Sequence, residues 1–252
     1  MTQMSMPVLT AHWLAGQGYS SHLLQGYCQH GWLQPLARGV YLRAGQSLTW
    51  AGALHALQNQ KNAAIHLGGR SALDVQGFYH YLRESFDLLL CAPANTKLPA
   101  WFMTVLGDRN PTHFVTYEWL KEPSLGLVNI TQEDLQLTVS GTARAMLEVC
   151  ALVPLYYGYE EAAHLMENLS TLDSGHVQAL LEASTHFKAN RLFLHYAFEC
   201  AHPWFDKLNL SAIKLGEGRR TLPGASRYDK QFRLYVPETP LNEGWGRENV
   251  VF

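Results

Sequence analysis

The sequence predicts an α+β protein: an N-terminal winged helix-turn-helix followed by a larger mixed sheet-and-helix C-terminal domain. Three observations lead there. The chain opens with a helical stretch, a glycine turn and a serine-capped helix that run into alternating extended residues. Strand candidates then crowd the middle, and from Thr142 onward the pattern turns helical. Strands followed by helices, rather than a repeating strand–helix–strand unit, mark the α+β class. We expect the first domain over residues 1–92, with its reader core at 8–46, and the second over 93–252.

Taken in order, Val8 to Gln17 has helical periodicity with Leu9, Trp13 and Leu14 on one face. Gly18 can adopt the positive φ of a tight turn, and Ser20 or Ser21 can cap the next helix. That helix, Ser21 to His30, places Leu23, Leu24, Tyr27 and Cys28 on an apolar face and Ser21, His22, Gln25 and Gln29 opposite. Amide and imidazole side chains of this kind read base edges in a major groove, and hydroxyls at the helix start, those of Ser20 and Ser21, reach phosphates. Gly31 ends the helix, Pro35 bends the chain, and Arg38-Gly39-Val40-Tyr41-Leu42-Arg43 alternates as a strand would. A ribbon in that position is a wing, with Arg38 and Arg43 available to phosphate or the minor groove.

Charge supports the same reading. The 252 residues carry 21 acids and a net charge of −2, yet none of the acids precedes Asp74. An acid-free run of that length arises by chance roughly two times in a thousand at this composition. The stretch holds Arg38, Arg43, Lys61 and Arg70, whereas 74–206 sums to −9 and 207–252 to +3. Such segregation suits a polyanion at the N-terminal end, because carboxylates there would repel a phosphate backbone.

Further along, Thr49 to Asn62 reads as a helix and Ala63 to Leu67 as a short strand. Gly68-Gly69-Arg70-Ser71 opens a helix to Phe78. A glycine pair there can cradle phosphate, but the terminal Lys-Ser or Lys-Thr of a P-loop is missing. A tight turn with Arg70 on DNA or on a neighbouring carboxylate is the better reading. Phe86 to Cys91, Trp101 to Leu106, His113 to Tyr117, Leu125 to Ile130 and Leu135 to Val139 are strand candidates. Helices are expected at Thr142 to Leu152, Tyr159 to Leu169, His176 to Ser184 and Asn190 to Cys200. Near the end Lys214, Arg219, Arg220, Arg227, Lys230 and Arg233 surround a glycine-rich loop. Either they decorate a solvated hairpin, or Arg219, Arg220, Arg227 and Lys230, with Arg70, make a second contact to DNA, RNA or a nucleotide.

Enzyme chemistry finds little support. His164, His176, His186, His195 and His202 fit no metal-site spacing, and the four cysteines lie far apart, so no metal, cofactor or catalytic residue is assigned. No Gly-x-Ser-x-Gly elbow occurs, Ser140-Gly141 lacks a matching neighbourhood, and adjacent Glu160 and Glu161 point apart on a helix. With no secretion signal and no apolar run long enough for a bilayer, a cytoplasmic protein without membrane contact is expected.

The run Gly18-Tyr19-Ser20, Leu23-Leu24, Tyr27, Gly31-Trp32-Leu33 and Ala37-Arg38-Gly39-Val40-Tyr41, continued by Trp50, Ala53-Leu54, Ala56-Leu57-Gln58 and His66-Leu67-Gly68-Gly69-Arg70-Ser71-Ala72-Leu73, resembles the AbiEi antitoxins of bacterial abortive-infection systems. The similarity is densest over residues 14–82 and continues more loosely through Pro99-Ala100-Trp101-Phe102. The resemblance implies a transcriptional repressor that binds repeats in its own promoter through the Ser20–Gln29 helix and the Arg38–Arg43 wing, two copies being able to share an inverted repeat. It also implies a C-terminal domain that counteracts a co-encoded nucleotidyltransferase-like toxin without a stable complex, the type IV arrangement. Two other readings compete: a stand-alone regulator whose C-terminal domain senses a ligand, and an enzyme acting on nucleic acid with the winged helix as its targeting arm.

Overall fold

The computed structural model describes residues 6–78, 86–107 and 110–237. Among these residues, helices mixed with three sheets confirm the α+β class. The described residues form two compact units, one lying within 6–67, 86–117 and 128–139, the other within 68–78, 118–127 and 140–237.

The first unit opens with a strand, β1 (Val8–Thr10), and not with the helix its periodicity suggested. Tertiary pairing explains the difference. Val8 and Thr10 are buried and pair antiparallel with Leu42 and Val40, while the Gln60 side chain bonds the Thr10 N–H at 2.7 Å and the Val8 carbonyl at 2.7 Å. Thr10 then caps α1 (Ala11–Gly16), its side chain accepting the Trp13 N–H. Gly18, at φ 88°, makes the turn into α2 (Ser21–Gln29). The hairpin β2 (Leu33–Ala37) and β3 (Val40–Arg43) follows, in a sheet of order β1–β3–β2. Leu14, Leu24 and Leu33 form the core that ties both helices to it.

Thr49 caps α3 (Trp50–His55) by accepting the Gly52 N–H at 3.1 Å, and the helix widens into a π turn over Ala56–Gln60. Strand β4 (His66–Leu67) comes next. After α4 (Gly69–Val75), which belongs to the second unit, come β5 (Leu88–Pro93), α5 (Ala100–Leu106), β6 (Thr112–Tyr117), β7 (Leu127–Gln132) and β8 (Leu135–Ser140). The five strands order as β6–β5–β4–β8–β7. The Trp101 to Leu106 segment, expected as a strand, is helix α5. A short apolar run does not reveal its period, and Pro99 supplies a non-helical entry at φ −61°, ψ 136° while Trp101, Phe102 and Leu106 turn inward.

The second unit gathers α4 with α6 (Thr142–Leu152), α7 (Tyr159–Glu167), α8 (Ser174–Ala183) and α9 (Phe187–Glu199). A small sheet of order β10–β11–β9 completes it: β9 (Arg220–Thr221), β10 (Arg227–Asp229) and β11 (Leu234–Val236). Among the described residues no helix is long and apolar enough to cross a membrane.

The start of α9 makes stability pH-dependent. His186 Nδ1 accepts the Ala189 N–H at 3.1 Å, which requires that nitrogen to be unprotonated. Burial, aided by Lys188, lowers the His186 pKa, and burial lowers those of His202 and His55 too. Groups whose folded pKa is depressed contribute stability that is complete above their unfolded value, near 6.5 for histidine, and is lost as pH falls from there through the folded value. The melting temperature should therefore drop between pH 7.5 and 5.5. His186→Asn, a cap that does not titrate, should flatten that slope, the cap being worth about 1 kcal/mol, or roughly 2–4 °C. An unchanged slope in the variant would remove His186 from the account.

Candidate nucleic-acid interface

Helix α2 is built to show a polar face. Ser20 is extended at φ −75°, ψ 155°, and its Oγ accepts the Leu23 N–H at 3.2 Å, so this serine is the cap and Ser21 begins the helix. Leu24 is buried, and Tyr27 and Cys28 half-buried, against α1 and the hairpin. Ser21, His22, Gln25 and Gln29 are all exposed, together on the opposite side. Leu23, read as part of the apolar face, is 40 % exposed because it falls at that face's margin.

The wing separates its two arginines. Arg38 is exposed at the hairpin tip, beside Gly39 at φ 72°, whose carbonyl accepts the Ala11 N–H at 2.8 Å. Arg43 ends β3, where it pairs in register with Leu33 and its N–H bonds the Pro7 carbonyl. Arg38 lies in the turn and Arg43 at the far end of the four-residue strand, whose rise alone is about 10 Å. The Arg43 side chain is half-buried and helps line a cavity of about 400 Å³ whose other walls include Trp13, Gln17, Tyr19, Tyr27 and Trp32. Trp32 stays 62 % exposed, its ring 5.3 Å from that of Tyr27.

Arg70 belongs to a different setting. It is buried, and its guanidinium bonds Glu161 with Asp74 at 3.9 Å, so of the two roles the sequence allowed it takes the neighbouring carboxylate. The Gly-Gly-Arg turn does not cradle phosphate either. The Gly69 N–H is given to Glu148 at 2.9 Å and the Arg70 N–H to the Tyr157 hydroxyl at 3.2 Å. Glu148 is itself almost fully buried and also accepts from Ser140 Oγ at 2.8 Å and from Arg144 Nε at 3.0 Å. The Arg144 guanidinium reaches on to the carbonyls of Pro123 and Leu125 at 2.7 and 2.6 Å. Nothing in the sequence marked this network, since the i,i+4 spacing of Arg144 and Glu148 does not reveal that both turn inward.

The C-terminal cations are mostly open to solvent. Lys214, Arg219, Arg220, Lys230 and Arg233 are exposed, with Glu217 the one exposed acid between 214 and 233. Arg227 is partly committed to Glu199 at 3.3 Å. Beneath them lies Arg191, fully buried, whose guanidinium donates to the carbonyls of Leu215, Gly218, Arg233 and Gly216 at 2.7, 2.9, 2.9 and 3.0 Å. Gly216 sits at φ 72°, and a Cβ there would fall 2.5 Å from the Phe187 ring, so only glycine allows this loop to close on α9. Nearby, His195 and Asp229 form a hydrogen-bonded pair at 2.6 Å, which holds the Asp229 carboxyl below its usual pKa against the opposing effect of burial. Of the remaining histidines noted in the sequence, His202 is buried on the Met166 carbonyl, His164 lies in the last turn of α7, and His176 is exposed near Asp173.

A family model described as "Transcriptional regulator, AbiEi antitoxin, Type IV TA system" matches residues 85–237, and one for the AbiEi antitoxin N-terminal domain matches residues 2–84. No curated protein matches the sequence. Among solved structures, the chain is similar to the RV2827C protein from Mycobacterium tuberculosis, with a TM-score of 0.61 and 13% identity over 92% of this chain and 87% of that one. At that identity the likeness concerns the fold.

Proposed function

The chain belongs to the AbiEi family of transcriptional regulators and type IV antitoxins, and from that premise we propose that it represses its own operon by reading an inverted repeat through α2 and the wing. The observation that carries this reading is the joint exposure of Ser21, His22, Gln25 and Gln29 on a helix anchored by Leu24, with Arg38 exposed at the adjacent hairpin tip. Ser20 and Ser21 sit where a helix N-terminus meets phosphate. Arg43 contributes from the base of the wing. The remainder of the chain, assigned here to residues 93–252, opposes a co-encoded nucleotidyltransferase-like toxin without a lasting complex. Arg219, Arg220, Arg227 and Lys230 offer a second nucleic-acid contact, from which buried Arg70 is withdrawn.

Titrating the purified protein onto its upstream DNA across a salt series tests the first part. Arg38→Ala should weaken binding to every sequence and reduce the log–log salt slope by about 0.9. Gln25→Ala should instead change preference among operator variants, by about 1–3 kcal/mol at one base pair. Binding without sequence preference would remove the reader assignment. Co-expression with the neighbouring open reading frame, scored for rescue of growth, tests the antitoxin role independently of DNA binding.

A further inference from the structure

We propose that the small sheet β9–β11 and the loop before it form a binding site for single-stranded nucleic acid, with bases stacked on Tyr228 and Tyr235 and phosphates held by the surrounding arginines. The proposal rests on the reading of the C-terminal cations as a nucleic-acid contact and specifies the strand state they recognise.

The register provides the stacking surface. Tyr228, Tyr235 and, on the third strand, Thr221 are direct partners across the sheet, so their side chains share one face. Leu234 and Val236, the neighbours of Tyr235 on β11, are buried on the other face. The two tyrosine rings lie 4.5 Å apart, tilted by 35°, both partly open to solvent. Arg219 lies over the Tyr228 ring at 5.0 Å, which adds a guanidinium plane to the platform. A row of aromatic rings and an arginine on a sheet face suits unstacked bases, whose π faces a duplex keeps hidden.

The loop supplies the charge. The carbonyls of Leu215, Gly216 and Gly218 turn inward to Arg191, and Glu217 adds a longer contact at 3.4 Å. In a trans peptide the N–H of the next residue points the opposite way, so the amides of Gly216, Glu217, Gly218 and Arg219 face outward. These contacts answer the Arg191 charge with dipoles and not with a carboxylate. Its positive charge is therefore displaced to the outer side of the loop and not cancelled. Burial pushes the Arg191 pKa down, and the like charges of Arg220 and Arg233 add to it. The patch is thus cationic in depth as well as at its rim, which favours a phosphodiester chain over a neutral ligand.

Fluorescence anisotropy of the full chain with a 12-nucleotide oligouridylate, an oligothymidylate of equal length and a 12-base-pair duplex lacking the operator tests this. Single strands should bind more tightly than the duplex. Tyr235→Ala should weaken single-strand binding roughly five- to hundred-fold, Tyr235→Phe should retain it, and Arg219→Gln should lower the salt slope by about 0.7. Operator binding should be unchanged in Tyr235→Ala, while Gln25→Ala should alter operator preference and leave oligouridylate affinity intact. The two sites thus fail separately. Equal binding of oligouridylate and oligothymidylate, or a preference for either, supports the site and reports whether the ribose takes part. Equal affinity for duplex and single strand, or a Tyr235→Ala variant that binds oligouridylate normally, would overturn the proposal.

Discussion

Glu148→Ala should destabilise the second unit by about 3–5 kcal/mol, a loss readable as a fall in urea midpoint with little change in slope. The substitution leaves Arg144 buried at 0 % exposure without the carboxylate that accepts its Nε–H. It also removes the acceptor for the Gly69 N–H and for the Ser140 hydroxyl, so α4, α6 and the end of β8 lose a shared anchor. Glu148→Gln keeps an acceptor but not the charge, and should recover part of the loss. The informative control replaces both ions: Arg144→Met with Glu148→Leu should be far less damaging than Glu148→Ala alone, because no uncompensated charge remains. If the double variant were the worse of the two, the network would owe its stability to the carbonyl contacts of Arg144 instead.

Arg191→Leu should have a comparable effect for a different reason. Here the buried cation serves backbone carbonyls, and its removal strands those of Leu215, Gly216, Gly218 and Arg233 at roughly 1–3 kcal/mol for each that stays buried. Relaxation of the loop into solvent limits the net loss to about 3–5 kcal/mol. The signature is local: limited proteolysis should find new cleavage within 214–220, at Lys214, Arg219 or Arg220, before the rest of the unit opens. Arg191→Lys should rescue only partly, since one ammonium cannot reach carbonyls now shared among three guanidinium nitrogens. An Arg191→Leu protein that resists trypsin like the parent would mean that the loop is held by the Gly216–Phe187 packing alone.

The parts of this molecule that were legible in its sequence are those written in local chemistry. Gly18 and Ser20 announced the turn and cap before α2, and the four exposed polar residues of that helix follow from a 3.6-residue period with Leu24 as its buried anchor. The hairpin after it could be read because 38–43 alternates, although Arg38 and Gly39 form the turn and only Val40–Arg43 is strand. What local chemistry does not encode is the partner across space. Val8–Thr10 became a strand because β3 and Gln60, fifty residues away, satisfy its backbone. The run at 101–106 carried no period long enough to decide between helix and strand. The sequence left Arg70 two roles and carried no mark of what Arg144 and Arg191 touch, yet all three are buried, two on carboxylates and one on carbonyls. Their partners lie between 4 and 91 positions away, beyond what spacing on one helix face can indicate in the distant cases.

The five-stranded sheet carries a consequence for how such genes can be recombined. Leu67 of β4 pairs with Val139 of β8, and all of β5 pairs with β6, so two strands encoded early depend on partners encoded after residue 110. A single crossover near residue 92 would give a descendant α2 and its hairpin together with β4 and β5, which still pair with each other but meet a β6 and β8 that evolved in another chain, and a poor fit at those two edges invites aggregation. On the proposed role of α2, exchange of DNA specificity between relatives should accordingly proceed by drift at a few of its exposed positions, or by short conversion tracts within residues 8–46, and not by wholesale trading of the first third of the chain.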